Sequence, residues 1–157
     1  MSEIPDRFFI EEEDKEIYDN LKSSNTPLGK YKKLDNKDVF IIAACYGFTY
    51  GIRKPLKKRF GYVRPIYFDE KELNILYSIA YNPEEKLQIY SDFKKVYEII
   101  EEYANGGIHI LKDKVESGEF GTFEKKFEEK LVELYRNNIE QIMEIKEQIK
   151  NLATEKI

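Results

Sequence analysis

Cysteine occurs once, at Cys45, histidine once, at His109, and tryptophan not at all in a chain of 157 residues. A single cysteine excludes an internal disulfide and suits a reducing compartment, so a cytoplasmic protein is expected. One histidine rules out multi-histidine metal sites, no Cys or His cluster has ligand spacing, and no metal is expected. Neither G-x-x-x-x-G-K-S/T nor G-x-G-x-x-G occurs, so nucleotide phosphates find no glycine-rich cradle and no cofactor is expected. No apolar run approaches the ~20 residues of a membrane span. The N-terminal stretch MSEIPDRFFIEEEDKEIY lacks the basic start and apolar centre of a secretory signal, so no membrane association is expected. Cys45 lies in the most apolar segment, where a thiol behaves as an inert small hydrophobe, and His109 lies on an apolar helical face beside glycines, where a structural role is expected. Carboxylates are plentiful, but on segments such as KFEEKLVEL their spacing reads as solvated helix surface. A nuclease would need carboxylates gathered around a metal, and no such arrangement is visible. No catalytic residue stands out, and an enzyme is not expected.

What is present is charge, unevenly placed. The chain carries a net charge of -4, yet from Leu28 to Arg64 ten Lys or Arg stand against Asp35 and Asp38. Within that segment GIRKPLKKRFGYVRP (51–65) holds Arg53, Lys54, Lys57, Lys58, Arg59 and Arg64 and not one carboxylate. Such asymmetry suggests one face for an anionic partner, with acidic surroundings that repel it elsewhere. Pro55, Gly61 and Pro65 make the stretch a loop able to wrap a surface, and Lys30, Lys32, Lys33 and Lys37 could enlarge the patch. Interleaved aromatic residues, Tyr31, Tyr50, Phe60, Tyr62 and Tyr67, would add stacking on unpaired bases, Tyr62 being the first candidate. The competing reading is a solvated loop that pairs with acidic helices of this chain or of a partner.

The periodicity reads as an all-α (mainly α) compact domain spanning 1–157, with an acidic N-terminal helix and loop (1–27), a core (28–118) and a long C-terminal helix (119–157). A first helix is expected over 11–22 and a loop at SSNTPLG (23–29). A second starts near Asn36 as N-cap and is apolar on every side from Val39 to Cys45, the mark of a helix surrounded by protein. Gly47 and Gly51 close it, and a short strand or hairpin is expected near 60–68. Asp69 with Glu72 resembles a capping box for a third helix with Leu73, Leu76, Tyr77 and Ala80 on one face, stopped by Asn82 and Pro83. Ser91 starts a fourth, interrupted at Asn105, Gly106 and Gly107. Two adjacent glycines cost roughly 1 kcal/mol each inside a helix. They imply a structural turn with positive φ, or another backbone packed where a Cβ would collide. Thr122 caps a final helix of about 30 residues.

That final helix carries Leu131, Tyr135, Asn138, Ile142, Ile145, Ile149 and Leu152 at alternating steps of four and three, a heptad seam with one polar residue in it. The seam serves self-association, docking on a larger subunit, or packing on the chain's own domain. Flanking positions lack the complementary charges that select a coiled-coil partner.

The segment KDVFIIAACYGFTYGIRKPL, followed about forty residues later by FKKVYEIIEEYANGGIHIL, resembles small proteins associated with DNA-phosphorothioation (Dnd) defence systems. The first shared motif is Lys37, Asp38, Val39, Phe40, Ala43, Ala44, Gly47 and Phe48, then Arg53, Pro55 and Leu56. The second is Glu102, Tyr103, Ala104, Asn105, Gly106 and Gly107, with Ile108 where the family has leucine. The resemblance covers roughly residues 28–115 and implies a setting, DNA-targeting antiphage defence, rather than a reaction. The expectation is a non-catalytic accessory subunit that contacts nucleic acid, DNA before RNA, through Arg53, Lys54, Lys57, Lys58, Arg59, Tyr62 and Arg64, with a larger defence-system protein or a second copy on its last helix. The alternative is an adaptor whose basic loop meets an acidic protein surface.

Overall fold

The structure, a computed structural model, describes residues 3–23, 26, 33–81, 86–117 and 123–154. Its elements run in the order β1 (Phe8–Glu11), α1 (Lys15–Leu21), α2 (Asn36–Tyr50), β2 (Arg59–Val63), α3 (Glu70–Ala80), α4 (Phe93–Glu116) and α5 (Phe123–Thr154), with 3-10 turns at Glu12–Asp14, Pro65–Tyr67 and Lys86–Ser91. The fold is mainly α with one two-stranded sheet among the described residues. By its contacts the chain divides into two units, Met1–Gly121 and Thr122–Ile157.

The helix expected over 11–22 begins at Lys15, after a 3-10 turn, and ahead of it the chain is extended from Phe8 to Glu11, a strand not expected from the sequence. Phe, Phe and Ile favour a pleated, half-buried surface, and β1 pairs antiparallel with β2 in the register Phe8↔Val63, Ile10↔Phe60, Glu11↔Arg59, irregular between Phe8 and Phe9. The partners lie some fifty residues apart, so no hairpin turn announces them in the sequence. Phe8 and Ile10 are buried, and the Phe8 ring stacks on Tyr97 at 4.3 Å and tilts against Phe40 at 5.0 Å.

Helix α2 is the central element. Val39, Phe40, Ala43, Ala44 and Gly47 are buried, and Ile41, Ile42, Cys45 and Tyr46 are partly buried around them, as an all-round apolar helix requires. Its N-cap is Asp35 rather than Asn36, because Asp38 closes a capping box by accepting the Asp35 N–H at 2.8 Å. Gly51 ends the helix in the left-handed region, with φ of 65°.

Helix α4 runs unbroken from Phe93 to Glu116, so the turn expected at Asn105, Gly106 and Gly107 is not there. The close-backbone explanation holds instead. A Cβ on Gly107 would stand 1.7 Å from the Ala43 carbonyl oxygen, and one on Gly106 would stand 2.2 Å from that of Ile52. In the facing direction, a Cβ on Gly47 would lie 1.9 Å from the Tyr103 carbonyl oxygen. The weaker helix propensity of glycine is offset by the approach of two main chains. The α4 cap is Asp92, whose carboxylate accepts the Lys95 N–H at 3.3 Å, and Ser91 belongs to the preceding 3-10 turn.

Helix α3 starts as expected, with Asp69 accepting the Glu72 N–H and Glu72 accepting the Asp69 N–H, both at 2.8 Å. It ends at Ala80; Asn82 and Pro83 fall outside the described residues. Helix α5 has 32 residues and is its own unit, and its described side chains from Leu131 to Gln148 are exposed. Among the described residues no helix is long and apolar enough to cross a membrane.

Candidate nucleic-acid interface

The basic stretch is not a loose loop. Residues 52–58 cross the face of α4 and are pinned to it and to β1 by acidic and amide side chains. The Lys54 N–H donates to the Glu102 carbonyl at 3.0 Å, and the Asn105 side-chain amide donates to the carbonyls of Lys54 and Pro55 at 3.0 and 3.2 Å. Further along, the buried Glu11 carboxylate accepts the N–H groups of Lys57 and Lys58 at 2.7 and 2.8 Å. A backbone hydrogen-bonded at Lys54, Pro55, Lys57 and Lys58 fixes the points from which these side chains leave it.

The six cations therefore divide. Arg53 is ion-paired with Glu102 and Lys58 with Glu12. Arg59 donates to Glu101 at 2.7 Å while its guanidinium lies 4.5 Å from the centre of the Phe9 ring. Among the described residues, Lys54, Lys57 and Arg64 have no hydrogen-bonded or ion-paired side-chain partner, and all three are exposed. They do not form one patch, because β2, five residues long, separates the Lys57 end from Arg64 by about 17 Å of strand. Pairing with acids of the same chain, the competing reading from the sequence, thus applies to half of the stretch. Of the lysines that might enlarge the patch, Lys37 pairs with Glu72 at 2.9 Å, Lys33 is exposed, and Lys30 and Lys32 fall outside the described residues, as does Tyr31.

Tyr62 is half-buried, its ring 4.8 Å from that of Tyr18 and its hydroxyl buried without a hydrogen-bond partner among the described residues. Burial pushes its phenol well above the usual tyrosine range. Phe60 packs on the core beneath the Lys15 ammonium, while Tyr50 is exposed and stacked on Tyr46.

Glu101 is the acid that sequence reasoning missed. It is 1% exposed, with one carboxylate oxygen accepting the Phe9 N–H at 2.9 Å and the other held by Arg59. Burial, outweighing the Phe9 hydrogen bond and the Arg59 charge, pushes its carboxyl up to about 7. The signal was in the spacing, since Tyr97, Glu101, Asn105 and Ile108 share one helical stripe that is otherwise core. His109 accepts or donates at 3.0 Å with the buried Asp14, and burial raises the Cys45 thiol.

On α5, Leu131, Tyr135, Asn138, Ile142 and Ile145 are exposed, as the seam requires; the side chains of Ile149 and Leu152 fall outside the described residues. Val132, Leu134, Ile139 and Met143 are exposed beside them. At 100° per residue these positions widen the apolar face to about half the circumference, broader than a two-residue seam.

The two motifs behind the family resemblance are the two halves of one contact. Arg53 meets Glu102, the Lys54 and Pro55 carbonyls meet Asn105, and Gly47 and Ala43 meet Tyr103 and Gly107. No curated protein and no solved structure matches the chain significantly. A match to the family described as DNA sulphur modification system-associated protein 4 runs over residues 7–152, beyond the motif segment and through most of α5. The chain, with its motif-built strap across α4 and its long last helix, belongs to that family.

Proposed function

We propose that this protein is a non-catalytic accessory subunit of a DNA-targeting antiphage defence complex, that it meets nucleic-acid phosphates through the loop at 53–64, and that α5 docks on a larger subunit of that complex. The observation that carries the nucleic-acid contact is the division of the basic stretch. Arg53, Lys58 and Arg59 are spent on holding the strap in place, while Lys54 and Lys57 on the strap and Arg64 at the far end of β2 have no ion-pair partner among the described residues. Cations on a fixed scaffold give up less side-chain and loop freedom when they meet a phosphate. Family membership supplies the setting. The breadth of the α5 apolar face favours a larger surface over a narrow two-stranded coil.

The test is duplex DNA binding by the parent and by the triple variant Lys54→Ala, Lys57→Ala, Arg64→Ala, at low salt. The reading expects binding by the parent and its loss in a variant that stays folded. A parent that ignores DNA but retains a purified larger subunit, and loses it in the triple variant, assigns the loop to an acidic protein surface instead.

A further inference from the structure

At the Arg64 end of β2 a cleft of about 740 Å³ lies between the first turn of α2 and the β-ribbon, lined among others by Arg7, Asp35, Lys37, Tyr62, Arg64 and Tyr67. Its chemistry is mixed in a specific way. Arg7 and Arg64 both line the cleft, and beside them lies one acid: Arg7 donates to Asp6 at 3.0 Å, and the Arg64 charge reaches the same carboxylate. Asp6 is itself 65% exposed, so a stronger anion can displace it without uncovering a buried charge. Lys37 is engaged with Glu72 and contributes field rather than a free donor. The first turn of α2 on that wall carries the Asp35 and Asp38 carboxylates of its capping box, so the place for an anion is the arginine end of the cleft. On the other side Tyr67, 64% exposed on the turn Pro65–Tyr67, lines the cleft with no ring contact among the described residues, whereas Tyr62 is committed to Tyr18 and forms the floor.

We infer that this cleft is a subsite for one unpaired nucleotide, its phosphate taking the place of Asp6 between Arg7 and Arg64 and its base stacking on Tyr67. The inference rests on the nucleic-acid reading above and deepens it. Phosphate and base are both needed: guanidinium pairs hold phosphate bidentately, and a base of any identity stacks on an aromatic face. A paired base inside a duplex cannot reach the ring, so the subsite distinguishes strand ends, gaps and extruded nucleotides from intact duplex.

The test compares a labelled blunt DNA hairpin with the same hairpin carrying a short single-stranded overhang, bound to the full chain. The overhang is expected to tighten binding about five- to 150-fold, the range of one base–aromatic stack. Tyr67→Ala should erase that gain and leave blunt-hairpin affinity alone, Tyr67→Phe should keep it, and Asp6→Asn should enlarge it. Displacement of the overhang hairpin by deoxyadenosine monophosphate, but not by deoxyadenosine, assigns the subsite to free nucleotides as well as strands; displacement by neither confines it to strands. Equal affinity for the two hairpins, or a gain that survives Tyr67→Ala, overturns this inference and leaves the duplex reading standing. Binding to neither hairpin overturns both.

Discussion

Glu101 puts a carboxylate where only core should be, 1% exposed, with Arg59 and the Phe9 amide as its two partners. Its folded-state value of about 7 lies above the ordinary 4.5, so between those two pH values the folded protein holds a proton there that the unfolded chain has released. Stability from this group is then full below about pH 4.5 and is lost as the pH rises through about 7, by about 2–4 kcal/mol. Denaturant melts of the parent and Glu101→Gln between pH 5 and 8 are expected to converge at the acid end and to differ most at the alkaline end. A parallel pair of curves removes the assignment. Tyr62 gives a second prediction. Tyr62→Phe deletes a buried hydroxyl that has no partner among the described residues and is expected to leave the thermal midpoint unchanged or higher, whereas Tyr62→Ala opens a cavity against Tyr18 and costs about 2–4 kcal/mol. From the sequence Tyr62 reads as solvated, because a tyrosine between Gly61 and Arg64 looks like loop; only the pairing of β2 with β1 turns its ring inward.

Between elements, the contact of α2 with α4 is set by glycines on both sides. Gly107→Ala places a Cβ 1.7 Å from a carbonyl oxygen that belongs to main chain and cannot swing aside, and a loss of about 3 kcal/mol, the top of the range for overpacking, is expected. Gly51→Ala meets nothing within 4 Å and suffers only its left-handed φ, about 1–2 kcal/mol. Thermal midpoints that rank the two the other way contradict the close-packing account. The helices themselves were legible from period and caps, as at Asp69 and Glu72, because those signals are local. Strand β1 was not, since its partner is distant in the chain, and the glycine pair read as a break because nothing local distinguishes a bend from a close approach. Helix α5 was legible as a long amphipathic helix, while its occupant was not. A chain ending at residue 138 is expected to keep the melting midpoint of the first unit, because the described side chains of α5 are exposed. Light scattering that finds a monomer before and after truncation supports docking on a larger subunit; a mass that halves assigns the face to a second copy.

For the whole molecule, the acidic balance and the basic stretch are parts of one arrangement. Glu11, Glu12, Glu101 and Glu102, which the composition counts as repelling charge, are what hold the cationic strap on α4. The sequence displays six cations within twelve residues and no means of telling which are engaged, because their partners come from the 3-10 turn after β1 and from α4, far along the chain. The central claim is that three of the six remain for a phosphate backbone, and salt dependence counts them directly. Affinity for duplex DNA, measured as the salt concentration is raised, is expected to fall with a log-log slope of about -3, near 0.9 per phosphate neutralised. Neutralising Lys54, Lys57 or Arg64 singly should flatten it by about one unit each, whatever the DNA sequence. A slope near zero, or one that Lys54→Ala, Lys57→Ala and Arg64→Ala leave unchanged, would contradict the account.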